Sequence, residues 1–371
     1  MKFSIARDVL LDVLGKVQGL TGRRSNLAIT TNVLIRTRDA GINIAATDLE
    51  TGFEGTYPAD VAAEGQVAIN ARKFFEIVRD FPSDQINLSE VENYWIEIGN
   101  EKVEYHLVGL NPEDFPEIPQ IADVNWIETE AQALKRMIER ALIVGVSDDK
   151  RAHILGVYLE KVPEDDRWLL RMVSTDGSRL NKADLLYEGT EAPAIDEAVL
   201  IPKKGLHEIA RFLEGPGKVQ IGLKDNHFVL RRDSETVVIR LLEGDFPPYA
   251  EILKGLEGHR IPMDRPSFLM MLKRMSILSS EEYKGVIFNF SEDKLVVSAT
   301  NPDYGESREE MEVATLGLTT EAAFNPRFFI DALNSIDTDN AILHIVNEER
   351  PCIVQGEEDD SFLSVIMPMR I

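Results

Sequence analysis

The chain has 371 residues, more than one hydrophobic core usually organises, so its length predicts two or three domains. Its 40 basic and 64 acidic residues give a net charge of -24, which argues against a protein whose whole surface binds nucleic acid. One cysteine, Cys352, excludes an internal disulfide, and six scattered histidines show no metal-ligand spacing, so we expect neither metal nor cofactor. No leader pattern opens the sequence and no stretch has the roughly 20 apolar residues of a membrane span, so we expect a cytoplasmic protein with no membrane partner.

The same order of local signals occurs three times along the chain. Each pass opens with an amphipathic segment that fits a helix, and a pair of alternating apolar strands follows it. The opening segments run from Phe3 to Val17, from Ile127 to Val144 and from Ile261 to Leu278. The strand pairs end in Ala46-Thr47-Asp48, Ser174-Thr175-Asp176 and Ala299-Thr300-Asn301, with the threonines 128 and 125 residues apart.

A strand and a second helix come next in each pass, and each helix begins after an Asn, Pro or Asn-Pro turn signal. These segments begin at Val67, Val199 and Ala322. More alternating strands close each pass, and Asp114-Phe115-Pro116 and Asp245-Phe246-Pro247 leave the first two. The sequence therefore predicts an α+β chain of three topologically similar domains, residues 1–124, 125–257 and 258–371, each with two helices packed on antiparallel sheets.

The predicted helices carry a charge opposite to that of the rest of the chain. They hold fifteen Lys or Arg and nine Asp or Glu, whereas the remaining residues hold 25 and 55. One interpretation is that amphipathic helices simply have a basic wet face, and the other is that basic helices are gathered on one surface. If two helices per domain line a ring, the twelve helices of two chains, each about 10 Å wide, would enclose a hole roughly 28 Å across, which is enough for a duplex about 20 Å wide. The six helices of a single chain would leave a hole of only about 9 Å. Two chains therefore fit duplex DNA, and an acidic exterior leaves only the interior attractive to phosphate.

Four motifs resemble those of bacterial DNA polymerase III beta subunits, the sliding clamps, and the resemblance covers the whole chain. The motifs are Ala71-Arg72-Lys73-Phe74-Phe75, Ser174-Thr175-Asp176-Gly177-Ser178-Arg179-Leu180, Asp245-Phe246-Pro247-Pro248-Tyr249 and Val365-Ile366-Met367-Pro368-Met369-Arg370. The resemblance implies three clamp domains per chain and a head-to-tail dimer that closes as a ring around duplex DNA. It also implies a non-catalytic processivity function that needs no cofactor.

The resemblance further implies an apolar cleft between the second and third domains that binds short peptides. Its partners would be the alpha subunit of DNA polymerase III, the delta subunit of the clamp loader, and other polymerases and repair proteins. Methionines can re-pack around varied apolar anchors, and Arg179 and Arg370 can engage polar or acidic peptide groups. The cleft residues so implied are Ile154, Thr175, Gly177, Arg179, Leu180, Pro247, Ile252, Phe328, Met367, Pro368, Met369 and Arg370.

Other interpretations of the cleft residues stay open at the level of sequence. Taken singly, Met367 and Met369 are more often core residues of a final strand, although Pro368 between them indicates an edge. Ser178 stands where the family often has histidine, and Glu251 stands where it sometimes has a basic residue. The peptide preference of the cleft is therefore not fixed by the sequence.

The resemblance also implies two further surfaces, one facing DNA and one closing the dimer. The DNA-facing residues would be Arg24, Lys150 and Arg151 in polar loops, with Lys73, Lys203, Lys204 and Arg211 on the second helices, for which a solvated surface role is equally consistent. The dimer seam would bring Tyr105 and Leu107 of one chain against Ile277 and Leu278 of the other, with Glu306, Glu309 and Glu310 pairing across it. Simple alternation within a sheet would also explain Tyr105 and Leu107.

The sequence leaves three alternatives to a sliding clamp. Thr47-Asp48 and Thr175-Asp176 could be nucleophile and acid/base pairs, but the third copy has Asn301, and a repeated Asx turn explains all three. With no P-loop, GxSxG or GxGxxG motif, we expect no enzyme. A repeat-built scaffold that binds peptides but never DNA would share the cleft, and the basic helices argue against it. A sequence-specific regulator lacks a recognition helix or basic arm.

Overall fold

The computed structural model describes residues 1–22, 27–38, 41–100, 102–145, 151–189, 191–254, 258–279, 285–315 and 317–370. Among these residues no helix is both long and apolar enough to cross a membrane. The chain divides into two compact units. The first comprises Met1–Lys135, Glu191–Asp196 and Lys204–Leu241, and the second comprises Arg136–Thr190, Glu197–Lys203 and Leu242–Ile371.

The elements follow the predicted threefold order. Those of the first pass are β1 (Lys2–Ala6), α1 (Arg7–Thr21), β2 (Asn32–Arg38), β3 (Gly41–Thr47), β4 (Thr51–Pro58), β5 (Asp60–Ala63), β6 (Gly65–Asn70), α2 (Ala71–Arg79), β7 (Gln85–Glu90), β8 (Trp95–Gly99) and β9 (Glu104–Val108). Those of the second are β10 (Ile127–Glu130), α3 (Ala131–Leu142), α4 (Ala152–Leu155), β11 (Gly156–Glu164), β12 (Arg167–Thr175), β13 (Arg179–Tyr187), β14 (Val199–Pro202), α5 (Lys203–Phe212), β15 (Lys218–Lys224), β16 (His227–Arg232), β17 (Glu235–Arg240) and α6 (Tyr249–Leu253).

The third pass contains β18 (His259–Asp264), α7 (Arg265–Met275), β19 (Val286–Ser291), β20 (Lys294–Asn301), β21 (Gly305–Glu312), β22 (Thr320–Phe324), α8 (Pro326–Asn334), β23 (Asn340–Ile345), β24 (Cys352–Gly356) and β25 (Asp359–Ile366). Short 3-10 helices lie at Ala28–Thr31, Pro112–Asp114 and Ser276–Leu278. The order of a helix, paired strands, a second helix and further strands is therefore present in all three passes.

Polar side chains begin several of the helices, as the turn signals in the sequence predict. The Asn70 side chain accepts a hydrogen bond from Lys73 N (3.0 Å) at the start of α2, and Asn325 accepts one from Arg327 N (3.0 Å) at the start of α8. Asp264 does the same for Ser267 N (3.0 Å) before α7. Each cap satisfies a backbone amide that has no partner inside its helix, which typically stabilises the helix by about 1 kcal/mol.

The first unit contains two antiparallel sheets. A five-stranded sheet has the order β5-β1-β7-β8-β9, and an eight-stranded sheet has the order β10-β15-β16-β17-β4-β3-β2-β6. The larger sheet joins strands of the first and second passes where β17 pairs with β4, with Val237 opposite Phe53. Both side chains are fully buried, so the joint is part of a hydrophobic core.

The second unit repeats this arrangement. Its eight-stranded sheet has the order β14-β11-β12-β13-β25-β24-β23-β18, and its four-stranded sheet has the order β21-β20-β19-β22. Here the second and third passes join where β13 pairs with β25, with Leu180 opposite Val365. Each joint thus uses the last strand of one pass and the fourth strand of the pass before it.

Three isolated β-bridges occupy equivalent positions in the three passes. Ala68 pairs with Leu110, Leu200 with Leu242, and Ala323 with Met369, all antiparallel. The first partner in each bridge lies three residues before the second helix of its pass. The predicted α+β fold of three similar domains is confirmed, while the boundaries at residues 124 and 257 stay predictions.

Candidate functional site

The turn between β12 and β13 is closed by its own threonine and aspartate. Thr175 Oγ1 donates to the Arg179 carbonyl (2.8 Å) and accepts from Gly177 N (3.0 Å). Asp176 Oδ1 accepts from Ser178 N (2.9 Å) and Arg179 N (3.0 Å). Gly177 has φ +88°, a left-handed conformation that suits glycine. We call residues 175–179 the cleft turn.

The turn after β3 has the same hydrogen bonds. Thr47 Oγ1 donates to the Thr51 carbonyl (3.0 Å) and accepts from Leu49 N (3.0 Å), while Asp48 Oδ1 accepts from Glu50 N (3.1 Å) and Thr51 N (2.8 Å). In the third pass, Asn301 Oδ1 accepts from Asp303 N (3.0 Å). The Thr-Asp pairs therefore form Asx turns, in which the threonine hydroxyl and the aspartate carboxylate hydrogen-bond to backbone groups of the turn.

Arg179 connects the cleft turn to two helices. Its Nε donates to Asp176 (3.1 Å), its Nη1 to Asp331 on α8 (2.7 Å), and its Nη2 to the Ile143 carbonyl after α3 (3.0 Å). The guanidinium also lies over the Phe328 ring, 4.4 Å from its centre. Arg179 thus uses three of its five N–H donors within the chain, and its contact with an acidic peptide group stays a prediction. Arg370 is exposed.

A cavity of about 670 Å³ opens beside the cleft turn, within the second unit. Seven of the twelve predicted cleft residues line it, namely Thr175, Gly177, Arg179, Leu180, Pro247, Ile252 and Met367. Ile252 and Met367 are about two-fifths exposed, so apolar surface faces the opening. A site of this size with apolar walls and a few polar groups has the character of a ligand cleft.

The five other predicted residues lie outside this cavity. Ile154 is buried, and its neighbour His153 lines the cavity instead. Phe328 is half-buried against Arg179. Pro368, Met369 and Arg370 line a second cavity of about 720 Å³, which shares Met367 with the first. The C-terminal segment thus separates two neighbouring cavities.

Backbone hydrogen bonds fix this C-terminal segment. Met367 N donates to the Ser178 carbonyl of the cleft turn (2.9 Å), and Met369 N donates to the Ala323 carbonyl (2.7 Å). These bonds turn the two methionines toward different surroundings, although they are only two residues apart. Met367 is therefore the methionine that faces the cleft.

A polar network holds the other wall of the cleft, the short helix α6. The Tyr249 hydroxyl donates to Glu160 and accepts from Arg171 Nη1 (3.3 Å), and Arg171 forms a two-point ion pair with Asp184 (2.7 and 2.8 Å). Burial and the neighbouring Glu160 carboxylate raise the pKa of Tyr249 to about 12. The phenol therefore stays protonated and anchors the helix that carries Ile252.

Several cleft residues carry no sequence signal strong enough to identify them. Val365 could have been found, because it lies opposite the predicted cleft residue Leu180 in the pairing of β13 with β25. Glu251 lines the cleft and pairs with Lys254 (3.3 Å), so it places no uncompensated charge there. The other unpredicted lining residues are His153, Lys254, Glu349, Arg350 and Pro351.

One of the predicted DNA-facing residues is wrong. The Lys203 side chain is 0% exposed, and its Nζ donates to the carbonyls of Thr175 (3.3 Å) and Gly145 (3.4 Å). An enclosed amine cannot reach a phosphate. Lys203 is the first residue of α5, where its side chain turns back under the cleft turn.

The other predicted DNA-facing residues differ in their partners. Lys73 is exposed and pairs with Glu76 (2.8 Å), and Arg211 is exposed and pairs with Glu208 (3.5 Å). Lys204 pairs with Asp48 (2.9 Å) and Glu50 (3.1 Å). Arg151 is exposed. Arg24 and Lys150 lie outside the described residues.

The predicted seam residues lie on or beside open sheet edges. Tyr105 and Leu107 are on β9, the edge strand of the five-stranded sheet, and Glu306, Glu309 and Glu310 are on β21, the edge strand of the four-stranded sheet. Ile277 is 77% exposed, and Leu278 ends the same 3-10 helix. Glu309 pairs with Arg274 of α7, and Glu310 pairs with Arg308 (3.3 Å).

One group in the described part of the chain has the composition of a metal site. Ligand atoms of Glu97, Glu104 and His106 lie within 4.8 Å of one another on β8 and β9. Two of the three side chains are exposed, and His106 Nε2 already lies 2.9 Å from a Glu104 oxygen. The geometry is that of a surface ion pair.

Comparison with known proteins covers the whole chain. The models of the N-terminal, central and C-terminal domains of the DNA polymerase III beta subunit match residues 1–119, 128–248 and 258–370. The beta sliding clamp of Pseudomonas putida is 30% identical over 376 residues, covering 100% of both chains. The DNA polymerase III subunit beta of Pseudomonas aeruginosa superposes with a TM-score of 0.92 at 29% identity, and a sliding clamp of the same organism bound to griselimycin with 0.91 at 30%, each covering 100% of both chains.

Proposed function

The chain belongs to the DNA polymerase III beta subunit family of sliding clamps, non-catalytic processivity factors, and on that premise we propose that two copies close head to tail around duplex DNA. The ring tethers the replicative polymerase and other DNA-processing proteins through the cleft beside Thr175. The single observation that carries the proposed ring is the repeated joint between successive domains. The strands equivalent to this joint in the first and third passes, β9 and β21, each have a neighbour on one side only.

The two internal joints supply a template for the seam between chains. β17 pairs with β4, and β25 pairs with β13, both antiparallel. By the equivalence of the three passes, β9 corresponds to β17 and β25, and β21 corresponds to β4 and β13. Unlike their equivalents, β9 and β21 are edge strands, so β9 of one copy is expected to pair with β21 of the other. Such edges favour pairing with another chain.

The register of the seam follows from the same template. The bridge residues Leu110, Leu242 and Met369 are equivalent, so the residues three positions before them, Leu107, Ile239 and Ile366, are also equivalent. Ile239 lies opposite Thr51, and Ile366 lies opposite Arg179. Thr47 pairs with Gly52 and Thr175 with Leu180, whereas Thr300 pairs with Glu306, so the third turn is one residue longer. Leu107 is therefore expected opposite Gly305, and Tyr105 opposite Ser307.

Charge complementarity supports this register. On the outer face of the seam it places Lys102 opposite Glu310, Glu104 opposite Arg308, and His106 opposite Glu306. Opposite charges directly across a strand pair are stabilising, by roughly 0.2 to 1 kcal/mol each. On the inner face, Tyr105 and Leu107 extend the apolar row formed by Ile96 and Ile98, and they would cover exposed apolar surface such as Ile277.

The DNA-facing surface is proposed from charge. The six long helices carry the excess of basic residues, and Lys73, Arg211, Arg151 and Lys204 remain candidates, as do Arg24 and Lys150 by sequence. The contacts would go to phosphates and would carry no sequence information, which suits a ring that slides. We place the protein in the cytoplasm, associated with the nucleoid.

The cleft is proposed to bind peptides from the alpha subunit of DNA polymerase III, the delta subunit of the clamp loader, and other polymerases and repair proteins. Its apolar walls at Leu180, Ile252 and Met367 supply anchor pockets for such peptides. A related clamp binds griselimycin, and we propose that griselimycin binds this chain in the same cleft.

A primer-extension assay tests the function. A cognate polymerase and clamp loader with ATP should make much longer products per binding event on a primed template when this chain is added, and griselimycin should shorten them. If product length does not depend on the chain while a known clamp works in parallel, the proposal is wrong. A scaffold that binds peptides without encircling DNA would give that result, and membership of the clamp family disfavours it.

A further inference from the structure

The cleft turn rests on a buried ammonium group. Lys203 is the most deeply buried lysine in the described part of the chain, and its Nζ donates to Thr175 O and Gly145 O. Thr175 begins the cleft turn, and Gly145 follows α3. A single cation therefore links the floor of the cleft to the end of a helix. Burying a charge is costly, so a lysine at such a position needs an explanation.

The repeat shows that the turn itself does not need this lysine. The equivalent positions are Ala71 and Pro326, each the first residue of its helix, and Ala71 is fully buried. The turn at Thr47 nevertheless forms the same four hydrogen bonds as the cleft turn. The ammonium is present only beneath the turn that lines the cleft.

Two cations join the cleft turn to the same segment. Lys203 binds Thr175 O and Gly145 O, while Arg179 Nη2 donates to the Ile143 carbonyl (3.0 Å). The charged groups facing Lys203 from the turn are Asp176, which attracts it, and Arg179, which repels it. The turn is thus held at both of its ends against the residues that follow α3. Bonds from a charged donor are the stronger class of hydrogen bond.

We infer that Lys203 is a positioning residue of the cleft, whose ammonium fixes the cleft turn in the orientation that ligands require. This inference rests on the proposed peptide-binding function of the cleft. Lys203 does not touch the ligand, because the cleft turn lies between them. Its removal should leave the fold intact and should loosen the turn.

Amide hydrogen exchange on the unliganded dimer tests the anchoring without any ligand. In Lys203→Met, the Gly177 and Arg179 amides should exchange about tenfold faster than in the wild type, because the turn opens more often. The Leu49 and Thr51 amides of the equivalent turn serve as an internal control and should not change. Equal exchange at Gly177 and Arg179 in both proteins would overturn the inference.

Griselimycin binding tests the consequence for the cleft. Lys203→Met should weaken griselimycin about tenfold, and Lys203→Arg, which keeps the charge and the donors, should stay within about threefold of the wild type. Lys182→Met is the matched control, since it removes another buried lysine of the second unit, on β13, and leaves its partner Asp184 paired with Arg171. It should change the affinity less than about twofold.

The outcomes separate the two proposals. Wild-type affinity in Lys203→Met, or an equal loss in Lys182→Met, would overturn the positioning role and leave the peptide cleft standing. If the wild type itself fails to bind griselimycin, the proposed cleft function is wrong. Faster exchange of the cleft turn in Lys203→Met would still support the anchor in that case.

Discussion

Arg179 and Phe328 form a stacked pair at the edge of the cleft, with the guanidinium carbon 4.4 Å from the centre of the ring. Phe328 lies on α8, which also carries Asp331, the ion-pair partner of Arg179 at 2.7 Å. The turn that lines the cleft is therefore attached to a helix of the next domain by both charge and packing. This attachment is within the second compact unit.

Replacing Arg179 by methionine should weaken the cleft. The change removes three hydrogen bonds and a cation–π contact worth about 0.5 to 2 kcal/mol, so the turn loses its hold on α8. We expect griselimycin to bind about tenfold more weakly by isothermal titration calorimetry.

Arg232→Met is the matched control for Arg179→Met. Arg232 also donates to backbone carbonyls, those of Phe212 (2.9 Å) and Pro216 (2.9 Å), but it lies in the first unit. It should lower the melting temperature without changing the affinity for griselimycin. Unchanged affinity in Arg179→Met would refute the role assigned to the stacked pair.

The two C-terminal methionines should contribute unequally to ligand binding. Met367 lines the cleft, whereas Met369 lines only the neighbouring cavity. Met367→Ala should weaken griselimycin about five- to tenfold through lost apolar contact, and Met369→Ala should change it less than about twofold. Both variants should sediment as dimers. A larger loss in Met369→Ala would show that the ligand occupies the other cavity.

A charge swap tests the register of the dimer seam. Glu104→Arg should place like charges opposite Arg308 and raise the dimer dissociation constant about two- to fivefold. Adding Arg308→Glu to the same chain should restore it, because the swapped pair is again complementary. Sedimentation equilibrium at low salt measures the change, and Glu188→Arg, at an exposed position that belongs to neither β9 nor β21, is the control. If the double variant dissociates more readily than the single one, the register is wrong.

The stability contributed by Lys203 should depend on pH. Burial lowers the pKa of Lys203 to about 8 from an ordinary value of 10.5. Below about pH 8 the folded and unfolded chains both carry the proton, so the cost of burying the charge is fully present. Between about pH 8 and 10.5 the unfolded chain binds more protons, and this cost is relieved as the pH rises.

Lys203→Met lacks this titration. The wild type should gain stability from this titration between pH 7 and 10, and the variant should not. The free energy of unfolding of the variant minus that of the wild type should therefore decrease by up to about 3 kcal/mol over this range. Chemical denaturation at one protein concentration and several pH values measures the difference. Lys2→Met, at an exposed lysine, controls for the change of residue type. A difference that grows with pH would contradict the sign.

The parts of the fold that depend on short-range signals could be predicted from the sequence. The order of elements repeats because the hydrophobic period changes from helix to strand in the same places in each pass. The Thr-Asp turns and the Asn caps form local hydrogen bonds, so residue type and spacing are enough to identify them. Cys352 is fully buried on β24, and burial raises the pKa of its thiol.

Other features depend on long-range packing and could not be predicted. Lys203 and Lys204 are adjacent at the start of α5, and the helical period does not decide which of them turns inward. The equivalent residues Ala71 and Pro326 are both non-polar, and this signal in the repeat could have identified Lys203 as the buried one. Met367 and Met369 are two residues apart, so regular strand alternation would place both side chains on the same face. Strand β25 ends at Ile366, however, so this alternation does not extend to the two methionines.

Retention on circular DNA tests the central claim most directly. The chain is incubated with nicked circular DNA, a cognate clamp loader and ATP, and then passed over a gel-filtration column before and after a restriction enzyme cuts the circle. We predict co-elution with the intact circle and release on cutting, because a closed ring is held by topology and slides off a linear end. Co-elution that persists after the circle is cut would contradict encirclement. A lack of co-elution would also contradict it if a known clamp, run in parallel, is retained on the circle.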